Sequence, residues 1–327
     1  MSRIAIVDFD FPDADLERRM CEKAGIELSV HFGRCDADQM AEYGKGADAI
    51  ISSYGDLSRD AIARLVPQLK AISRTGTGVD NIDVAAATEL GVLVCNVPGY
   101  GTEVVSDHAV ALALACLRRI NEQDADMRRG IWDYARTRPL GQCKGRRFGV
   151  VGMGAIGSAA ARKAAGLGFE VVCSSRSLAP GTRTPEGFSA VGFDELIATS
   201  DVVSFHVALT PETRHMLDAD AIAAMKPGCV VVNTSRGAVI DTKALAEALA
   251  EGRLWGAGLD VFEDEPLPAG HPILDAPHTV LTPHAAYWSE ESGAELRRRA
   301  CQAAVDVVSG RRPADCLNPE ALQGSAD

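Results

Sequence analysis

Short apolar runs alternate with helix-forming stretches along this chain, the pattern of parallel strands covered on both faces by crossover helices. Ile4–Val7, Ala49–Ser52, Ala71–Arg74 and Val92–Asn96 read as strands in the first third, with helical stretches such as Asp13–Ala24 and Arg59–Leu65 between them. A second series begins at Phe148 and runs through Glu170–Cys173, Asp201–His206, Cys229–Asn233, Gly256–Asp260 and Thr279–Leu281. An Ala/Leu-rich helix, Ser106–Arg119, and a loop containing Trp132 separate the two series, and a last helix, Ser289–Ser309, follows the second. A chain of 327 residues is too long for one ordinary core. The pattern therefore predicts an α/β protein with two doubly wound parallel-sheet domains, one over 100–288 inserted into a smaller one built from 1–99 and 289–327. Ligands of such sheets bind beyond the carboxyl ends of the strands, so a cleft between the domains is the expected site.

Composition narrows the class. The net charge is −12 at pH 7, and no basic block is set against it. That argues against a nucleic-acid or anionic-membrane surface and for small-molecule partners. Nine cysteines include no Cys-x-x-Cys pair and sit mainly in apolar runs such as Val94-Cys95-Asn96 and Ala115-Cys116-Leu117, which reads as reduced thiols in a cytoplasmic protein. The start Met1-Ser2-Arg3-Ile4-Ala5-Ile6-Val7 looks like a first strand rather than a secretion signal, and no apolar run has the length of a membrane span. No cluster of His, Cys and carboxylate has the spacing of a zinc site, so no metal is expected.

Gly152-Met153-Gly154-Ala155-Ile156-Gly157 follows the strand candidate Phe148–Val151 and opens the helix-forming stretch Ser158–Leu167. This is a dinucleotide fingerprint in its strand–turn–helix context. The first glycine allows a tight turn, the second lets backbone reach a diphosphate, and the third lets helix and strand pack closely. Residues 100–288 are thus expected to form a Rossmann domain, and the smaller unit a flavodoxin-like substrate domain. An acid about 20 residues after the fingerprint would hold the ribose of NAD and repel a 2′-phosphate. Here the next strand ends in Ser174-Ser175-Arg176-Ser177. Hydroxyls beside a guanidinium fork suit a phosphate, which predicts NADP, with NAD as the alternative. Arg183 is close enough in sequence to assist.

Three later strand ends carry further chemistry. Asn233-Thr234-Ser235-Arg236-Gly237 puts a lone arginine at the end of an apolar strand, suited to grip a carboxylate and orient the carbonyl beside it. Asp260-Val261-Phe262-Glu263-Asp264-Glu265-Pro266 ends another strand in a cluster of acids, and Thr282-Pro283-His284 ends the last. A carboxylate beside an imidazole favours its protonated form, so a His–carboxylate pair can give a proton to an oxygen and take it back. Hydride transfer to a 2-oxo acid needs such a donor.

These stretches resemble the D-isomer-specific 2-hydroxyacid dehydrogenase family over nearly the whole chain. Arg74-Thr75-Gly76-Thr77-Gly78-Val79-Asp80-Asn81-Ile82-Asp83, Asn96-Val97-Pro98 and His206-Val207-Ala208-Leu209-Thr210 add to the motifs already quoted, in the same order and spacing. The resemblance implies Arg236 as substrate arginine, Glu265 as the carboxylate paired with the base, and His284 as acid/base. It implies substrate contacts from Arg74, Thr77, Gly78 and Tyr287. It also implies cofactor contacts from His206, Val207, Thr213, Thr234, Ser235 and Asp260, the last on the nicotinamide amide. His284-Ala285-Ala286-Tyr287-Trp288 is most similar to the branch containing the C-terminal binding protein corepressors. Many members have Gly where Ala285 and Ala286 stand, and most have Asp where Ser175 stands. The expected activity is an NAD(P)-dependent 2-oxoacid reductase, in a homodimer contacting through Ser106–Arg119 and the Trp132 loop. A dinucleotide-sensing interaction protein and a phosphite-type dehydrogenase are the alternatives, and the region Ser52–Gly55 is where substrate side chains would be distinguished.

Overall fold

The structure is a computed structural model and describes residues 2–322. The chain divides into two compact units, Met1–Tyr100 with Ser289–Asp327, and Gly101–Trp288. Both are α/β, each with an all-parallel sheet. Among the described residues no helix is long and apolar enough to cross a membrane.

In the first unit β1 (Arg3–Phe9), β2 (Glu27–Phe32), β3 (Ala49–Ser52), β4 (Ala71–Arg74) and β5 (Leu93–Cys95) lie in the order β2-β1-β3-β4-β5. Its core sets Ala5, Val7, Ile50, Ile72 and Val94 against helix residues such as Met40 and Ile62. The pattern of apolar runs missed β2 because this edge strand is exposed or half-exposed along its length and so lacks the continuous apolar run of its neighbours. The helix Glu290–Val308 returns to this unit, where the Ser73 hydroxyl donates to Ala300 O at 2.8 Å.

The second unit holds β6 (Arg147–Val151), β7 (Glu170–Ser174), β8 (Ser189–Ala190), β9 (Val202–Phe205), β10 (Val230–Asn233), β11 (Gly256–Leu259) and β12 (Thr279–Leu281). Their order is β12-β11-β10-β9-β6-β7-β8. The sheet therefore grows both ways from β6, and the order reverses between β6 and β9, the point where such sheets bind ligands. Both faces are buried. Phe148, Val150, Val202, Val230 and Val232 pack on one side with the helix Thr102–Arg118, while Val151, Val203, Phe205, Val231 and Leu259 pack on the other. Burial on both faces makes these strands near-continuous apolar runs, with Ser204 of β9 a buried exception.

Candidate active site

One row of register partners crosses the second sheet: Ser174, Val151, Phe205, Asn233, Leu259 and Leu281 on β7, β6, β9, β10, β11 and β12. All six strands run the same way, so the residues just past the row share one edge of the sheet. They are Ser175 and Arg176, Gly152 to Gly157, His206 and Val207, Thr234 to Arg236, Asp260, and Thr282 to His284.

The fingerprint glycines differ in what surrounds them. Gly152 has φ +96°, and a Cβ there would lie 2.6 Å from His206 O, while a Cβ at Gly157 would lie 1.9 Å from Gly152 O. These two glycines close the junction of strand and helix. A Cβ at Gly154 would meet nothing within 4 Å, so space is open at the start of the helix Ala155–Gly166, whose first N–H groups, from Ala155 and Ile156 on, receive no side-chain cap. Open space and uncapped N–H groups fit an anionic diphosphate. His206 Nδ1 and Thr234 Oγ1 are buried without a hydrogen-bond partner, one residue past the row on neighbouring strands, and fit a polar ligand at the same edge. His206 Nε2 bonds to Ser204 Oγ at 2.9 Å. Burial lowers its pKa to about 4, which keeps the ring neutral at pH 7.

At the end of β7, Ser175 Oγ lies 3.1 Å from Ser177 Oγ, and Arg176 is exposed. The Thr210 hydroxyl is the main cause, and the Arg176 guanidinium a lesser one, of a lowered Glu212 pKa. Arg183, expected to assist Arg176, donates instead to Gly187 O in its own turn at 2.6 Å. The Thr213 hydroxyl closes its turn onto Ala208 O at 2.7 Å and accepts from Thr210 N–H at 2.8 Å. Its proton is therefore used within the turn. Val207 packs against the core.

The loop after β10 is shaped by Asn233, a residue the sequence reading passed over. Its side-chain oxygen accepts from Ser235 N–H at 3.0 Å and from the Ser235 hydroxyl at 2.7 Å, while its amide nitrogen donates to Arg236 O at 2.9 Å. An Asn at a strand end followed by Thr-Ser is the available signal for such a turn. Arg236 donates from one guanidinium nitrogen to Ser235 O at 2.9 Å. Gly237 lies against the next loop so closely that a Cβ would sit 1.8 Å from Phe262 C.

His284 and Glu265 come together. His284 Nδ1 lies 2.7 Å from one Glu265 oxygen, and the other accepts from Phe262 N–H at 3.0 Å. The His284 backbone is left-handed, φ 53°, and its N–H donates to Asp260 O at 2.7 Å. The Asp260 side chain, 1% exposed, accepts from the Thr282 hydroxyl at 2.6 Å, Ala285 N–H at 2.8 Å and Ala286 N–H at 2.9 Å. Asp260 thus has a task beyond the cofactor contact expected of it: it folds the turn that presents His284. His108 Nε2 reaches Thr282 Oγ1 at 2.9 Å. The Tyr287 ring stands edge-on to His284, centroids 6.1 Å apart.

Arg74, Thr77 and Gly78 belong to the first unit, in the loop after β4. Arg74 donates to Thr75 O at 2.7 Å, the Thr77 hydroxyl donates to Val97 O at 3.0 Å, and Thr77 O accepts from the Asn96 amide at 2.7 Å. Gly78 follows in the same loop. Nearby, the buried Asp8 carboxylate holds the 53–55 loop after β3, accepting from Ser53, Tyr54 and Gly55 N–H at 2.6, 2.5 and 2.6 Å. Burial raises the pKa of Asp8, and these three donors oppose the rise. Nothing in the sequence links Asp8 to that loop, because the contact spans 45 residues or more.

Residues 110–286 match the D-isomer specific 2-hydroxyacid dehydrogenase NAD binding domain. A glyoxylate reductase from Korarchaeum cryptofilum is 39% identical over 282 residues, 85% of each chain. A solved structure of a Thermus thermophilus protein superposes with TM-score 0.88 at 35% identity, covering 96% of this chain and 99% of that one. An acyclic imino acid reductase in complex with NADPH and D-Arg gives 0.86 at 25% identity, with 96% and 99% covered. With a fingerprint of this geometry, a His–Glu pair on the same sheet edge and relatives of this kind, the chain belongs to the D-isomer specific 2-hydroxyacid dehydrogenases, enzymes that bind a nicotinamide dinucleotide.

Proposed function

We propose that this enzyme reduces a small 2-oxo acid to the D-2-hydroxy acid, and catalyses the reverse reaction, with NADP(H) preferred over NAD(H). The observation that carries the reading is the 2.7 Å contact of His284 Nδ1 with Glu265, on the sheet edge that also carries the fingerprint. A bound nicotinamide would supply or accept the hydride at the 2-carbon. His284 handles the proton. A carboxylate only accepts, so Nδ1 carries its hydrogen toward Glu265, and Nε2 is the atom that protonates the carbonyl oxygen in reduction and takes the hydroxyl proton in oxidation. Glu265 fixes that tautomer and stabilises the imidazolium. Arg236 grips the substrate carboxylate and orients the 2-carbon. Arg74 and the backbone N–H groups of Thr77 and Gly78 complete that grip, and Tyr287 lines the substrate side chain.

For the cofactor, Gly152, Gly154, Ala155, Ile156 and Gly157 cradle the diphosphate, while Ser174, Ser175 and Arg176 take the 2′-phosphate. His206, Val207, Thr213, Thr234, Ser235 and Asp260 complete its pocket. Support for NADP comes from the hydroxyls and guanidinium that stand where an NAD site has an acid. The reading extends to a cytoplasmic homodimer contacting through the Thr102–Arg118 helix and the Trp132 loop, where Trp132 is 87% exposed. Glyoxylate is the first substrate to test, given the glyoxylate reductase relative.

Rates with glyoxylate, hydroxypyruvate, pyruvate and a branched 2-oxo acid, each with NADPH and NADH, test the proposal. Turnover of at least one acid is expected. His284→Ala and Arg236→Ala should each lower it by about 100-fold or more with cofactor affinity kept. Cofactor binding without turnover of any acid would leave the dinucleotide-sensing reading in its place.

A further inference from the structure

A second histidine–glutamate pair lies outside the groups assigned so far. His215 Nε2 is 2.6 Å from one Glu263 oxygen. The other oxygen accepts from Thr242 N–H at 3.3 Å and from the Thr242 hydroxyl. Glu263 stands in the segment after β11 that also carries Glu265. His215 holds a left-handed backbone, φ 48°, which a residue with a Cβ adopts only where its surroundings hold it there. Its own N–H donates to Ala238 O at 2.8 Å, in the turn that follows Arg236. One residue thus joins both loops, the arginine's through its main chain and the acid's through its ring. The same loops meet directly where Gly237 lies against Phe262, and Phe262 N–H bonds to Glu265.

Resting on the proposed function, we infer that His215 and Glu263, seated on Thr242, are positioning residues that set the Arg236 loop against the Glu265–His284 pair. Releasing Glu263 removes the bonds to His215 and Thr242 that fix its segment. The displacement passes through Phe262 to the Glu265 oxygens. A shift of about 1 Å at a reacting group can cost roughly 100-fold in rate.

The test uses the full chain and the variants His215→Leu, Glu263→Ala, their double, and Glu263→Gln. The Gln side chain keeps an acceptor for Thr242 and can donate to His215 in its Nδ1–H tautomer. The readouts are kcat and KM for glyoxylate or the best acid of the panel, the NADPH dissociation constant, and the downfield NMR signal of the His284 Nδ1 proton, assigned by its loss in His284→Asn. His215→Leu and Glu263→Ala should lower kcat about ten-fold or more and raise KM, with NADPH affinity held. The proton signal should broaden or move upfield. The double variant should be no worse than the poorer single, because the pair acts as one unit, and Glu263→Gln should recover most of the rate. Unchanged kcat, KM and proton signal with only a lower Tm would overturn the inference. A wild-type enzyme inactive on every acid, or an active His284→Asn, would instead defeat the proposed function, and the proton signal would still decide the positioning role. If His215→Leu fails to fold, Glu263→Ala against Glu263→Gln gives the same decision.

Discussion

Replacing Asp260 by Asn should loosen the turn that presents His284 by an amount the hydrogen bonds define. The carboxylate accepts three donors, two of them, Thr282 Oγ1 and Ala285 N, at one oxygen and the third, Ala286 N, at the other. An amide has one acceptor oxygen. In its better orientation it keeps the first two bonds and turns its NH2 against Ala286 N–H. That loses one bond to a charged group, about 1.5–3 kcal/mol, and weakens the other two by removing the charge. The turn also holds His284 at φ 53°, a strain of roughly 1–2 kcal/mol that favours opening once the bonds weaken. Local destabilisation of about 2–4 kcal/mol follows. Because each 1.4 kcal/mol is a factor of ten, amide exchange over residues 282–288 should accelerate roughly 30- to 700-fold when followed by mass spectrometry. Turnover should fall with it. His108 gives a graded comparison: Thr282 has a single hydroxyl proton, which goes to Asp260, so His108 Nε2 must donate to Thr282. His108→Ala removes that one bond and should cost only about 0.5–1.5 kcal/mol. Native protection of Ala285 and Ala286 in Asp260→Asn would refute this account of the turn.

Arg176→Ala should weaken NADPH at least ten-fold more than NADH, read as the ratio of two dissociation constants, and an unchanged ratio would remove Arg176 from cofactor choice. Gly237→Ala, whose new Cβ would lie 1.8 Å from Phe262 C, should push apart the loops of Arg236 and Glu265 and lower kcat/KM far more than it lowers cofactor affinity. Burial holds the His206 pKa at about 4 against an ordinary 6.5, so the unfolded chain binds the extra proton. Its stability contribution is complete above pH 6.5 and is lost as pH falls toward 4, with a ceiling of about 3 kcal/mol. Urea melts of wild type and His206→Gln should show wild type losing stability relative to the variant as pH falls across that range, and parallel curves would refute the assignment.

Most strands were legible because burial on both faces keeps them largely apolar, with an occasional buried serine such as Ser204, whereas the exposed edge strand β2 and the two-residue β8 were not. The fingerprint was legible because its glycine spacing lies within one strand–turn–helix unit, although Gly152 also answers His206 O just past β9. Gly157 against Gly152 O is a contact inside that unit. Helix ends were less so. The helix read from Ser106 begins at Thr102, after Gly101 and with no side-chain cap to announce it. The last helix starts where Ser289 caps it, as a serine before two acids suggests. Arg183 was proposed only from its nearness in sequence to Arg176, and one of its guanidinium nitrogens donates to Gly187 O in its own turn.

The acids after β11 mark the limit of what a linear pattern can carry. Asp260, Glu263, Asp264 and Glu265 form one cluster of acids along the sequence, and their pattern alone does not tell them apart. They are separated by donors arriving from elsewhere: Thr282 and the 285–286 amides for Asp260, His215 and Thr242 for Glu263, His284 for Glu265, while Asp264 stays exposed. These partners lie 19 to 48 residues away in sequence, so no local spacing can choose among the acids. The family resemblance singled out Glu265 but was silent on Glu263. A sheet register that lines up the ends of β10, β11 and β12 accounts for both, because it brings the arginine, the acids and the histidine to one edge. Each acid then takes the nearest donor whose geometry it can satisfy.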